Sequence, residues 1–146
     1  IKSVICLRPD GEGPDQPAFD TLKTQAATLE FAAHYLPIIP GQISEEQIAE
    51  FADMVSKSTG PIFAYCRSGM RATALWALHQ AQIGQSVDEI LAAAKSAGHD
   101  LTALTIIVGG QRVVKRKIAF CAACCQVYYL SGACKLQHVF ACLSRF

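Results

Sequence analysis

Apolar positions in the first hundred residues follow two alternating patterns, short continuous runs and a helical period. Ile1 to Leu7 is a β-branched and apolar run closed by Arg8-Pro9-Asp10-Gly11, which predicts a strand followed by a loop. The loop continues through Gly13-Pro14-Asp15-Gln16-Pro17. Phe19, Leu22, Ala26, Leu29 and Ala33 then recur at helical spacing and predict an amphipathic helix over 18–33. His34-Tyr35-Leu36-Pro37-Ile38 reads as a second strand, stopped by Pro40-Gly41. Ser44 with Gln47 forms a capping-box pattern, opening a helix that buries Ile48, Phe51, Ala52 and Val55. Gly60-Pro61 ends that helix, and Ile62 to Tyr65 predicts a third strand. A helix follows from about Arg71 to Ile83, and Ser86 with Glu89 caps another that ends near Gly98.

Strands and helices therefore alternate, which predicts an α/β fold with a mainly parallel sheet flanked by helices. Ligands in such folds bind at the carboxyl ends of the strands. The 8–15, 40–44 and 66–71 loops then share one rim.

One motif on that rim carries chemistry. Ala64-Tyr65-Cys66-Arg67-Ser68-Gly69-Met70-Arg71 passes from a strand through a short glycine-containing loop into a helix. Converging backbone N–H groups and a helix dipole stabilise a thiolate and hold an anion beside it. Cys66 is the candidate nucleophile, and Arg71 the candidate clamp that grips an oxyanion with two parallel hydrogen bonds. Arg67, Ser68, Gly69 and Met70 supply the cradle, with Gly69 permitting close approach of the backbone. A structural cysteine beside two surface arginines is the plainer reading of the same residues. His34 and His79 read as packing or surface residues, and His99 as a group that satisfies carbonyls at a helix end.

The stretch 62–71 resembles the catalytic loop of the cysteine-dependent phosphatases, and equally that of the rhodanese sulfurtransferases. Three further segments precede it in order: Val4-Ile5-Cys6-Leu7-Arg8-Pro9-Asp10-Gly11-Glu12, His34-Tyr35-Leu36-Pro37-Ile38 and Gly41-Gln42-Ile43-Ser44. As an ordered set they resemble the protein-tyrosine-phosphatase-like domain of the bacterial beta-lactamase hydrolase-like family. That domain is fused to metallo-β-lactamase-like or flavin-dependent partners in sulfur-handling proteins. The resemblance spans about residues 1–103 and implies a protein tyrosine phosphatase-like fold, with a rhodanese-like loop length. Two successive helices after the loop favour that topology over a rhodanese, which returns to a further strand.

The chain departs from the phosphatase pattern in three places. Four residues separate Cys66 from Arg71 where tyrosine phosphatases keep five, and four is the common rhodanese spacing. Ala72 stands where phosphatases usually carry a Ser or Thr that assists breakdown of the thiophosphate intermediate, and Thr73 is the nearest hydroxyl. The resemblance also implies a general-acid Asp well upstream of the Cys, yet 36–42 contains none. Asp10, Glu12 and Asp15 are the candidates in the first loop. Asp10 is taken as the catalytic one, although turn formation accounts for Asp10-Gly11 equally well. General acid–base help is worth about 10²–10⁴-fold, so a chain without it turns over activated esters and is poor on unactivated ones. Persulfide transfer needs no such donor. The expectation is a cysteine-dependent phosphatase-like hydrolase without cofactor or metal, acting on a phosphorylated or sulfur-bearing small molecule or protein. A sulfurtransferase carrying a persulfide on Cys66 is the second reading, and a non-catalytic oxyanion-binding module the third.

Composition adds a boundary. With 146 residues, 51% apolar and 17% charged, the chain is expected to fold as one domain, and a net charge of +1 gives no footprint for nucleic acid. That average hides a split. Through Gly110 there are seven basic and twelve acidic residues, a net of −5. Beyond it lie six basic residues, no acidic ones and five of the seven cysteines. This predicts a phosphatase-like domain over 1–103 and a Cys-rich, basic, apolar tail over 104–146, read as the remnant of a fused partner. Thr105 to Gly110 resembles the first strand of a dinucleotide-binding fold, but Gly109-Gly110-Gln111-Arg112 does not complete the fingerprint. Cys121, Cys124, Cys125, Cys134, His138 and Cys142 match no standard zinc spacing. The 17 residues from Ile118 to Cys134 reach the lower edge of a membrane span, but Gln126 and the tyrosines count against one. Cys6 and Cys66 are too few for a disulfide framework, and no signal peptide opens the chain. A domain trimmed at its front, in the reducing cytoplasm, is expected.

Overall fold

The computed structural model describes residues 1–101, 118–121 and 126–129. Three parallel strands form its centre: β1 (Ser3–Cys6), β2 (Ala32–Tyr35) and β3 (Ile62–Tyr65). β1 lies between the other two in matched register, Ser3 opposite Ala32 and Ile62, and Cys6 opposite Tyr35 and Tyr65. The three strands therefore end level, and whatever follows each of them emerges on one rim. Strands β4 (Ile118–Cys121) and β5 (Gln126–Tyr129) extend the sheet antiparallel beyond β3, giving the order β2-β1-β3-β5-β4. The sequence expectation held neither of these last two. A continuous apolar run has no period by which a strand can be told from a buried helix. The zinc and membrane readings weighed and set aside for the tail fall largely outside the described residues. Among those described, no group of side chains could hold a metal and no helix is long and apolar enough to cross a membrane.

Side chains alternate across the sheet and send its two faces to different partners. Ile5, Leu7, Leu36, Ile38, Ile62, Ala64 and Cys66 share one buried cluster with three helices. These are α2 (Glu45–Lys57), α3 (Met70–Gln82) and α4 (Val87–Ser96). α3 is buried on nearly every side, with Leu75, Trp76 and Ala77 at 1% exposure or less. Its alanines let α2 and α4 approach closely, so this helix is the pillar of the domain. Removing a leucine-sized side chain from such a site costs about 2–5 kcal/mol. The opposite face carries Tyr35, on which Phe19 of helix α1 (Phe19–Thr28) stacks at 4.7 Å.

The capping box expected at Ser44 forms in full: the hydroxyl accepts from the Gln47 N–H, and the Gln47 side chain accepts from the Ser44 N–H. Ser86 caps α4 through the Glu89 N–H. One boundary differs. The expected helix over 18–33 stops at Thr28, and the following strand runs Ala32–Tyr35 rather than 34–38. Glu30 adopts φ +58 there, its N–H bonding Ala27 and the Phe31 N–H bonding Ala26. That is a Schellman stop with glutamate in the place usually given to glycine, so no residue type announced it.

His79 on α3 is buried against the Phe51 ring, with centroids 5.6 Å apart, and burial holds its pKa below the usual imidazole value. His99 is lowered for the same reason. The unfolded chain takes up these protons near pH 6.5, whereas the fold resists them, so stability is full at neutral pH and falls as pH drops below about 6.5. His79→Leu should flatten that dependence: between pH 7.5 and 5.5 its melting temperature should fall less than the parent's, by a few degrees. Parallel melting curves for parent and variant would show that His79 does not contribute.

Candidate active site

β3 delivers Cys66 to the rim, buried at 7% exposure with a free thiol. The chain then turns through Arg67 and Ser68, both exposed, into Gly69, which is the N-cap of α3. Gly69 sits at φ +83, a left-handed conformation that side chains resist. That dihedral turns the chain from the loop into α3, whose first N–H groups have no partner within the helix. The Thr73 N–H and hydroxyl both donate to the Gly69 carbonyl, at 2.9 and 3.0 Å, and so lock the first turn. Met70 remains 41% exposed on the loop's outer side.

Arg71 takes the opposite direction from Arg67. Its side chain is buried and reaches the level strand ends. Nη1 donates to the carbonyl of Ile38 at 2.8 Å and, more weakly, to that of Leu7 at 3.4 Å. Nη2 meets Glu12 Oε1 at 2.6 Å. The other carboxylate oxygen of Glu12 takes Arg8 Nε at 2.8 Å, so one carboxylate joins two arginines. Burial works against the charge on Arg71, but the hydrogen bond it donates to Glu12 and the nearby Cys66 outweigh it and raise the pKa. The same pairing, led by the hydrogen bond to Arg71 and helped by Arg8, outweighs burial and holds the Glu12 carboxyl below the usual range. Glu12 is thus an ionised partner of the guanidinium and not a proton donor.

The other residues of the first loop are placed differently. Asp10 Oδ1 accepts from the Phe19 N–H at the start of α1, while the Asp10 N–H donates to the Tyr35 hydroxyl, both at 2.9 Å. Asp15 is exposed. The structure therefore brings together Cys66, Gly69 and Arg71, and gives Asp10 the task of fixing the loop to α1 and β2. What the motif did not disclose is the support behind Arg71: Arg8, Glu12 and two backbone carbonyls. The i, i+4 spacing of Arg8 and Glu12 was the available signal.

Residues 1–83 match the family model for the phosphatase-like domain of the beta-lactamase hydrolase-like proteins. The beta-lactamase hydrolase-like protein of Xylella fastidiosa (strain Temecula1) is 36% identical over 101 residues, covering 68% of this chain. Its counterpart in Agrobacterium fabrum is 35% identical over 106 residues, covering 72%. The matches take in 23% and 25% of those relatives, so the chain spans about a quarter of their length. A solved structure from Neisseria meningitidis Z2491, described as a candidate phosphatase, superposes with a TM-score of 0.64 at 34% identity. It covers 70% of this chain and 73% of its own.

Gly69 is where the loop is most sensitive to change. Gly69→Ala should cost about 1–2 kcal/mol in stability, from the strain of the left-handed conformation alone. Chemical denaturation measures this, and an unchanged midpoint would mean that the turn does not need glycine.

Proposed function

The chain belongs to the phosphatase-like domain family of the beta-lactamase hydrolase-like proteins, and we propose that it is a cysteine-dependent hydrolase of phosphate esters. Cys66 Sγ attacks phosphorus while the bond to the leaving oxygen breaks, and that oxygen takes its proton from solvent. Water then attacks the same phosphorus, the S–P bond breaks, and inorganic phosphate leaves with the thiolate restored. Arg71 and the N–H groups at the start of α3 neutralise the charge on the transferred group. The observation that carries this reading is the meeting of a buried cysteine, a helix N-terminus and a charged guanidinium at the level ends of three parallel strands. A reducing compartment suits such a thiol, and in longer relatives the remaining length leaves room for a fused partner that supplies or consumes the substrate.

Persulfide transfer is the second reading, favoured by the four residues between Cys66 and Arg71. It requires the Cys66 thiolate to accept one sulfur from a sulfane donor and pass it to a thiol.

Hydrolysis of an activated aryl phosphate by the full chain should disappear in Cys66→Ser; equal rates would remove the nucleophile. Arg71→Lys should lose about 1.5–3 kcal/mol of transition-state stabilisation, roughly 10–100-fold in turnover, because an ammonium cannot reproduce the fork. Arg67→Ala should cost far less, its exposed charge acting only through screened attraction. Comparable losses in these two variants would mean that the inward arginine is misassigned. Incubation with glutathione persulfide separates the two chemistries by intact mass: a gain of one sulfur on Cys66, without phosphate release from aryl phosphate, would favour transfer.

A further inference from the structure

The contacts of Arg71 divide its five N–H donors into two groups. Nη1 and one hydrogen of Nη2 are held by Ile38, Leu7 and Glu12. Nε–H takes no acceptor among these contacts, and together with an Nη2–H it forms the side edge of the guanidinium, the edge that pairs with two oxygens of a tetrahedral anion. Cys66 stands near enough to favour the charge on the guanidinium, which places that charge beside the reacting sulfur. Its orientation is set from behind. The two carbonyls are fixed by the strands, but Glu12 belongs to a loop and needs an anchor of its own. Arg8 provides it at 2.8 Å, packed so closely over Gly13 that a Cβ there would stand 3.2 Å from Arg8 Nη2.

We propose that Glu12 is the positioning residue of the site: its carboxylate, anchored by Arg8, holds the Arg71 guanidinium so that its side edge faces an oxyanion at Cys66. This rests on the reading of Cys66 and Arg71 given above, and it assigns to Glu12 no step in the chemistry itself. The carboxylate stays charged and in place while the anion binds opposite it. A neutral side chain of the same shape keeps one acceptor for Nη2 but loses the charge that makes the contact short and directional. Arg8 acts only through Glu12, so its removal matters only while Glu12 is present.

Calorimetric titration of the full chain with inorganic phosphate tests this without turnover, with circular dichroism confirming the fold of each variant. Glu12→Gln and Glu12→Ala should bind phosphate roughly 10–100-fold more weakly than the parent and lose kcat/KM on an aryl phosphate in proportion. Glu12→Asp, which keeps the charge, should recover part of that loss. Arg8→Gln should give a smaller loss, and the Arg8→Gln, Glu12→Gln double variant should be no weaker than Glu12→Gln alone. If Glu12→Ala does not fold, the near-isosteric Glu12→Gln carries the test. Phosphate binding by Glu12→Gln within about twofold of the parent, or additive losses with Arg8→Gln, overturns the assignment while the Cys66 and Arg71 reading stands. A parent that binds no phosphate, or an Arg71→Ala variant that binds it equally, overturns both.

Discussion

A guanidinium buried at the edge of a sheet constrains everything around it. Arg71 keeps only 9% of its side chain exposed and remains charged, so its donors need acceptors that the fold itself supplies. Two come from the chain just beyond β1 and β2, and the third from Glu12. Removing one partner of a fully buried pair costs about 3–5 kcal/mol, and less here because Glu12 is 19% exposed. The level register of the strands is what makes these acceptors converge. A shift of one residue in β1 against β3 would carry the Leu7 carbonyl away and turn its side chain out of the core. Sheet register and site geometry are thus one constraint seen twice.

Most of this architecture was legible in the residues. The three strands, the helix starts at Ser44 and Ser86, and the loop at Cys66 follow from period, caps and glycine placement, which act locally. The misplaced end of α1 came from Glu30, because a left-handed stop was assigned to a residue type that seldom adopts one. The support of Arg71 was hidden for a different reason. Ile38 and Leu7 contribute backbone carbonyls, which carry no sequence signal, and their distance in sequence from Arg71 is closed only by the folded sheet. Glu12 did stand out as a carboxylate near the site, and its local pairing with Arg8 could be guessed. Its role as a partner of Arg71 depended on where the first loop comes to rest.

Loop length and topology point to different chemistries, and both features stand together in this chain. Two helices, α3 and α4, follow the loop, while four residues separate Cys66 from Arg71 within it. Gly69 turns this short loop into α3 through its left-handed dihedral. Arg71 is then the second residue of α3 and must fold back along the helix to reach the strand ends. An arginine placed so deep has little freedom to swing with a ligand. On the proposed reading this is preorganised charge, which stabilises a transition state without reorganisation at the moment of reaction.

The electrostatics of the domain are local in the same sense. The first 110 residues carry a net charge of −5, which by itself would discourage anions. At the rim Arg8, Arg67 and Arg71 gather, and the carboxylate of Glu12 pairs with Arg8 and Arg71. Screening at physiological salt limits exposed charges to about 8 Å, so the acidic surface elsewhere is invisible from the loop. On the proposed reading, selectivity for an anion rests on a few positive groups and backbone dipoles within one or two turns of Cys66. Because two of those positive groups share Glu12, the local field and the geometry that directs it depend on the same carboxylate.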